Sequence, residues 1–224
     1  MPSSYTPLGV ELMVTGEQAG LWGDKTNTNL NILSQIVGGY NSQTVNGTGD
    51  TALAVSDGAT GATVANRIIE LTGTITGNIT VSIPLDVENF YIIKNSTSGA
   101  FTVEFQYTSG SGTSVTFSAT DKGTKFVYAK ADDGTNPNIV DVFSEFSQIN
   151  LVNQNELRFQ DATGGQYVGL RAATTVGSSF TLNLPTADAT SSGQALVSDS
   201  SGNLSFADAG ISTGKAIAMA IVFG

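Results

Sequence analysis

The chain has 224 residues, with 19 acidic against 9 basic side chains for a formal net charge of −10, and only 12% of its residues are charged. That length can bury one large core or two modest ones without staples, while the complete lack of cysteine and histidine removes thiolate and imidazole metal centres, Ser-His-Asp and Cys-His nucleophiles and the commonest general base. The acidic balance also argues against nucleic acid or an anionic membrane as partner.

In chain order, the opening MPSSYTPLGVEL carries neither the basic flank nor the apolar core of a secretory signal. Residues 1–23, with Gly9, Gly16, Gly20 and Gly23 among scattered apolar side chains, read as an extended arm. Asp24 is the candidate N-cap of one short helix. Leu30, Leu33, Ile36 and Val37 would share a face of it, and Gly38-Gly39 would close it. Residues 40–65 are punctuated by Gly, Ser, Thr and Asp and read as a linker or wrapping segment.

From residue 66 to 145 the pattern turns to short strands: RIIELT, ITVSI, FYIIK, FTVEFQY, SVTFS, TKFVYAKA and IVDVF, divided by turn residues. In the segment 101–107 Phe101, Val103, Phe105 and Tyr107 alternate with Thr102, Glu104 and Gln106, which predicts one core face and one wet face. A β-sandwich-like domain is expected here. Residues 146–224 predict a second, thinner β region with INLV, ELRFQD, YVGLRA, FTLNLP, ALVSD and LSFAD. DSSGN at 199–203 reads as a hairpin loop in which Gly202 supplies a positive φ. FTLNLP at 180–185 repeats the alternation and terminal proline of ITVSIP at 79–84. The longest apolar run, 216–223, is eight residues, against about 20 for a membrane-crossing helix. It reads as a strand that a partner must cover. The expected fold class is therefore all-β: arm and short helix (1–39), linker (40–65), sandwich-like domain (66–145) and a C-terminal β region (146–224) that, too thin in apolar side chains to stand alone, is expected to intertwine with copies of itself.

Chemical motifs are sparse. STGKA at 212–216 lacks the first glycine of a phosphate loop, Ala209 standing there, and Ala216 replaces the Ser or Thr after the lysine. Asp132, Asp133, Asn136 and Asn138 offer oxygens of the kind Ca²⁺ takes, but their spacing departs from a calcium loop and a solvated hairpin turn is the simpler reading. Asp86 with Glu88, or Asp121 with Asp132, could pair as acid and base across a sugar, yet nothing in their spacing places them so. Tyr107 and Tyr128 could stack on sugars, but alternation assigns them to sheet packing. The sequons at Asn46, Asn78, Asn95 and Asn203 are no more than a chain rich in Ser and Thr produces by chance. No catalytic residue, metal or cofactor is expected.

The segment PLGVELMVTGEQAGLWGDKTNTNL at 7–30 resembles the leading segment of virion fiber proteins of tailed bacteriophages of the marine podovirus type. LTGTITGNITVSIP at 71–84, YIIKNSTSG at 91–99, LRFQDA, YVGLR and LVSDSSGNL are similar to the β modules of such fibers. The resemblance implies a homotrimeric structural protein of the virion, anchored to the tail through its N-terminal region and presenting distal parts to a host polysaccharide or receptor. No nucleic acid and no membrane insertion is implied. Docking to the virion would fall to Leu12, Leu21 and Trp22. The trimer would cover Leu30, Leu33, Ile36 and Val37 on the helix and Ile217, Met219, Ile221 and Phe223 on the terminal strand. The alternatives are a capsid cement or head-decoration protein, and, further off, a sugar-binding module or polysaccharide depolymerase.

Overall fold

A computed structural model describes residues 2–161, 164–208 and 221–222. The chain divides into two compact units, 1–147 and 148–224. In the first, β1 (Ser4–Tyr5) pairs antiparallel with β2 (Glu11–Leu12), followed by helix α1 (Trp22–Gly38). Then come β3 (Tyr40–Thr44), β4 (Thr51–Ala52), a 3-10 turn at Thr63–Ala65, β5 (Ile68–Thr74), β6 (Ile79–Ile83), β7 (Asn89–Ser98), β8 (Val103–Tyr107), β9 (Val115–Phe117), β10 (Thr124–Ala129) and β11 (Ile139–Asp141).

The seven predicted strands are all present as β5 to β11, and two sheets face one core. Their connection is a coil. Strands alternate between a five-stranded sheet, β11-β10-β7-β5-β3, and a four-stranded sheet, β4-β6-β8-β9. Along the chain each strand therefore lies parallel on the one two places before it, from β3 to β8. Between the second and third turns the offset is 24 residues throughout, from Ile68↔Ile92 to Ile83↔Tyr107. Equivalent side chains consequently stack: Ile69 on Ile93, Val81 on Phe105 and Ile83 on Tyr107, all buried. Because a parallel strand buried on one face needs only every second residue apolar, the ITVSI and VEFQY alternation suffices. The coil ends where β9 and β10 reverse direction against β8 and β7.

Residues 40–65 are not a linker. They form the first turn of the coil, contributing β3, β4 and the buried side chains Val45, Leu53, Ala62, Val64 and Ala65. Their low apolar density hid this, since an end turn of a coil is covered on one side only. The helix begins two residues before Asp24, with Leu21 at the N-cap and no side-chain cap. Asp24 lies in its first turn, where its charge faces the positive end of the helix dipole. The N-terminal segment is folded onto this helix: the Asn29 amide donates to the Glu11 carbonyl and accepts from the Glu11 N–H, both at 2.9 Å. Lys25 meets the buried Glu11 carboxylate at 3.0 Å. Gly9, at φ +83°, lets the segment pass Ser56, whose carbonyl oxygen would lie 2.6 Å from any Cβ.

The second unit contains β12 (Leu157–Gln160) paired with β13 (Tyr167–Leu170), and β14 (Gln194–Ser198) paired with β15 (Leu204–Asp208), both antiparallel. The 199–203 loop is as predicted: Gly202 has φ +83°, and the Asp199 carboxylate accepts from the Ser201 and Asn203 N–H groups at 2.8 and 2.9 Å. INLV is not a strand. FTLNLP forms only a single bridge, Asn183↔Asn203, so its likeness to β6 does not extend to structure. No described residue of this unit is buried.

Candidate functional site

Helix α1 carries two apolar stripes rather than one. At 100° per residue, Lys25, Asn29, Ile32 and Ile36 point toward their own domain: Ile32 is fully buried, Ile36 packs against the core, and Lys25 and Asn29 hold Glu11. Ile36 therefore does not belong with the expected interface residues; the spacing alone could not say on which side of the stripe the domain would sit. Leu30, Leu33 and Val37, three and four residues apart, are exposed. They border a shallow groove of about 510 Å³ completed by Ser34, Gln35 and the Gly38-Gly39 backbone. From Thr26 to Gly38 the helix has no ionisable side chain.

The expected docking residues are all on the surface. Leu12 and Leu21 are about half exposed, and Trp22, in the first turn of the helix rather than in an extended arm, is 65% exposed. Of the apolar run 216–223, only Ile221 and Val222 are described. They are helical instead of extended and both are exposed. Ile217, Met219 and Phe223 lie outside the described residues.

The groups weighed for chemistry have structural partners. Asp132 pairs with Lys130 at 2.9 Å and accepts from the Asn138 N–H at 2.9 Å, and these contacts, Lys130 first, hold its carboxyl well below the usual range. Asp133 accepts from the N–H groups of Thr135 and Asn136, and the Asn136 and Asn138 amide oxygens accept from the Ser111 and Thr113 N–H groups, so the four side chains considered for Ca²⁺ hold the turn and tie it to the 111–113 segment. Glu88 accepts from the Tyr128 hydroxyl at 2.6 Å. Asp121 and Asp132 lie beyond opposite ends of β10, and Tyr107 is buried, its hydroxyl donating to Val87 and accepting from Ala131. The sequon side chains serve the fold. Asn46 and Asn78 accept from the N–H groups of Thr74 and Thr102 in the next turn of the coil, Asn95 is wholly buried, and the Asn203 amide bonds Asp199. Among the described residues no group of three or more Asp or Glu side chains could hold a metal, and no helix is long and apolar enough to cross a membrane.

Two surfaces were not singled out by the sequence. An aromatic row runs Phe90, Phe126, Phe143, Phe146, with centroids 6.1, 4.8 and 5.8 Å apart, and the last two rings are stacked and exposed. In the second unit Leu157, Phe159, Val168 and Leu170 share one exposed face of the β12–β13 hairpin. Its signal was present in the alternation of LRFQ and YVGL, but only the register Leu157↔Leu170 and Phe159↔Val168 shows that both strands turn their apolar residues the same way.

No family model, no curated protein and no solved structure matches the chain.

Proposed function

We propose that the chain is a structural protein of a tailed-bacteriophage virion, a short homotrimeric tail fiber or fiber-base protein that acts by burial of surface rather than by catalysis. The observation that carries this reading is the outer stripe of α1: Leu30, Leu33 and Val37 stand exposed and uncharged on a helix whose other stripe already holds it to its own domain. A seam spaced three and four residues apart is the pattern by which helices of separate chains pack together. Leu12, Leu21 and the exposed Trp22 supply the surface for docking to the virion, tryptophan being enriched among residues that dominate interfaces. The resemblance of residues 7–30 to fiber leading segments supports a position on the tail, and the parts distal to that anchor would contribute to host attachment.

The test is localisation on purified particles, by antibody labelling or by difference density against a deletion mutant. Density lost from the tail is the expected result. Density lost from the head would replace the fiber by a capsid cement protein, and an unchanged particle would overturn the virion reading.

A further inference from the structure

We infer that the β12–β13 hairpin is a second self-association site, its apolar face packing on the same face of further copies of this chain. The inference rests on the assembly reading above and names the surface through which the second unit takes part in it.

The hairpin is two-faced. Leu157, Phe159, Val168 and Leu170 make one side, with Val168 70% exposed. On the other side Arg158 stacks over the Tyr167 ring at 4.2 Å and bonds Glu156 at 2.9 Å, and Arg171 reaches the same Glu156 at 3.7 Å. A lone two-stranded hairpin is marginal in water at best, and no described residue of this unit is buried. The polar face is finished by its own contacts, whereas the apolar one is not. Its cover must be present whenever the unit is folded, which a copy of the same chain satisfies at fixed stoichiometry.

Charge selects that occupant. Residues 148–187 contain two acidic side chains, Glu156 and Asp161, and two basic ones, Arg158 and Arg171, so the segment is neutral in a chain of net charge −10. Copies approaching through the acidic parts of the chain meet like charge; through this segment, as through the uncharged outer stripe of α1, they meet no net charge. Arg158, the one charged side chain within β12 and β13, projects from the polar side, so packing of the Leu157, Phe159, Val168 and Leu170 face does not bury it.

The chain contains no cysteine, so a single introduced thiol reports contact between copies without background. Leu157→Cys, Val168→Cys and Leu170→Cys in the full chain, oxidised or treated with a short bismaleimide, are expected to link chain to chain at least tenfold faster than Gln160→Cys on the polar face. If none of the three exceeds Gln160→Cys, the inference is overturned, whether the face is covered by its own chain or by another protein. Phe159→Asp should abolish linking through Val168→Cys; linking that persists would also overturn it. The readout is independent of particle location: cross-linking in a chain absent from virions would retire the virion reading and leave this one standing, and a virion-located chain without cross-linking would do the reverse.

Discussion

The Tyr40 hydroxyl donates to the Glu70 carboxylate at 2.5 Å, joining the first turn of the coil to the second on its outer face. Lys94 and Ser96, on the third turn, reach the other oxygen of the same carboxylate at 2.8 and 2.6 Å. One side chain thus ties three successive parallel strands.

These contacts, Lys94 first among them, hold the Glu70 carboxyl at about 2, against an ordinary 4.5. A carboxyl depressed in the folded state adds stability that is complete above its unfolded value and is lost as pH falls toward the folded one. Glu70→Gln should therefore lower the melting temperature at pH 7 and flatten its fall between about pH 4.5 and 2. A Glu70 carboxyl that titrates near 4.5 by NMR would contradict the arrangement.

Gly99 stands at φ +102°, and a Cβ there would lie 2.2 Å from the Ile75 carbonyl oxygen of the turn beneath. Gly16 shares a positive φ, +85°, but has open space around it. Gly99→Ala should cost clearly more than Gly16→Ala, about 3 kcal/mol or more against the roughly 1–2 kcal/mol of the backbone conformation alone. Urea denaturation of the two variants checks the difference.

Phe105 is fully buried, stacked over Val81 and edge-on to Tyr91 at 5.8 Å. Truncation to alanine should destabilise the first unit by about 3–5 kcal/mol. The same change at exposed Phe146 should stay within about 1 kcal/mol, since only a stacked surface ring contact is lost.

Much of this fold was legible because alternation survives at single positions: VEFQY shows its buried and wet faces without any knowledge of its neighbours. What pairs with what was not legible. Ile79 to Ile83 reads the same whether its partner is a hairpin neighbour or a strand 24 residues away, and a parallel coil has no local turn signature comparable to Asp199 and Gly202 in the β14–β15 loop. The first turn was missed for a related reason: Val45, Leu53 and Val64 are widely spaced, and only stacking on the next turn brings them into one core. On α1 the spacing of Leu30, Leu33, Ile36 and Val37 showed an apolar helix face, but not that Ile36 would go to the domain while its neighbours stayed outside.

That division makes adjacent residues of α1 behave oppositely. Ile32→Asp places an unpaired charge in the interior and should cost about 3 kcal/mol or more. Leu33→Asp should leave the fold within about 0.5 kcal/mol yet weaken association between copies. Circular dichroism melting paired with sedimentation velocity separates the two effects, and equal loss of fold in both variants would remove the outer stripe as an interface.

The most direct measurement is the native mass of the full-length chain in solution at low salt. The account predicts a homo-oligomer, a mass three times the 23.1 kDa of one chain, that falls toward a single chain when Leu33→Asp and Phe159→Asp are combined. A stable 23.1 kDa monomer at micromolar concentration, with the apolar faces of α1 and of β12–β13 still open to labelling, would contradict it.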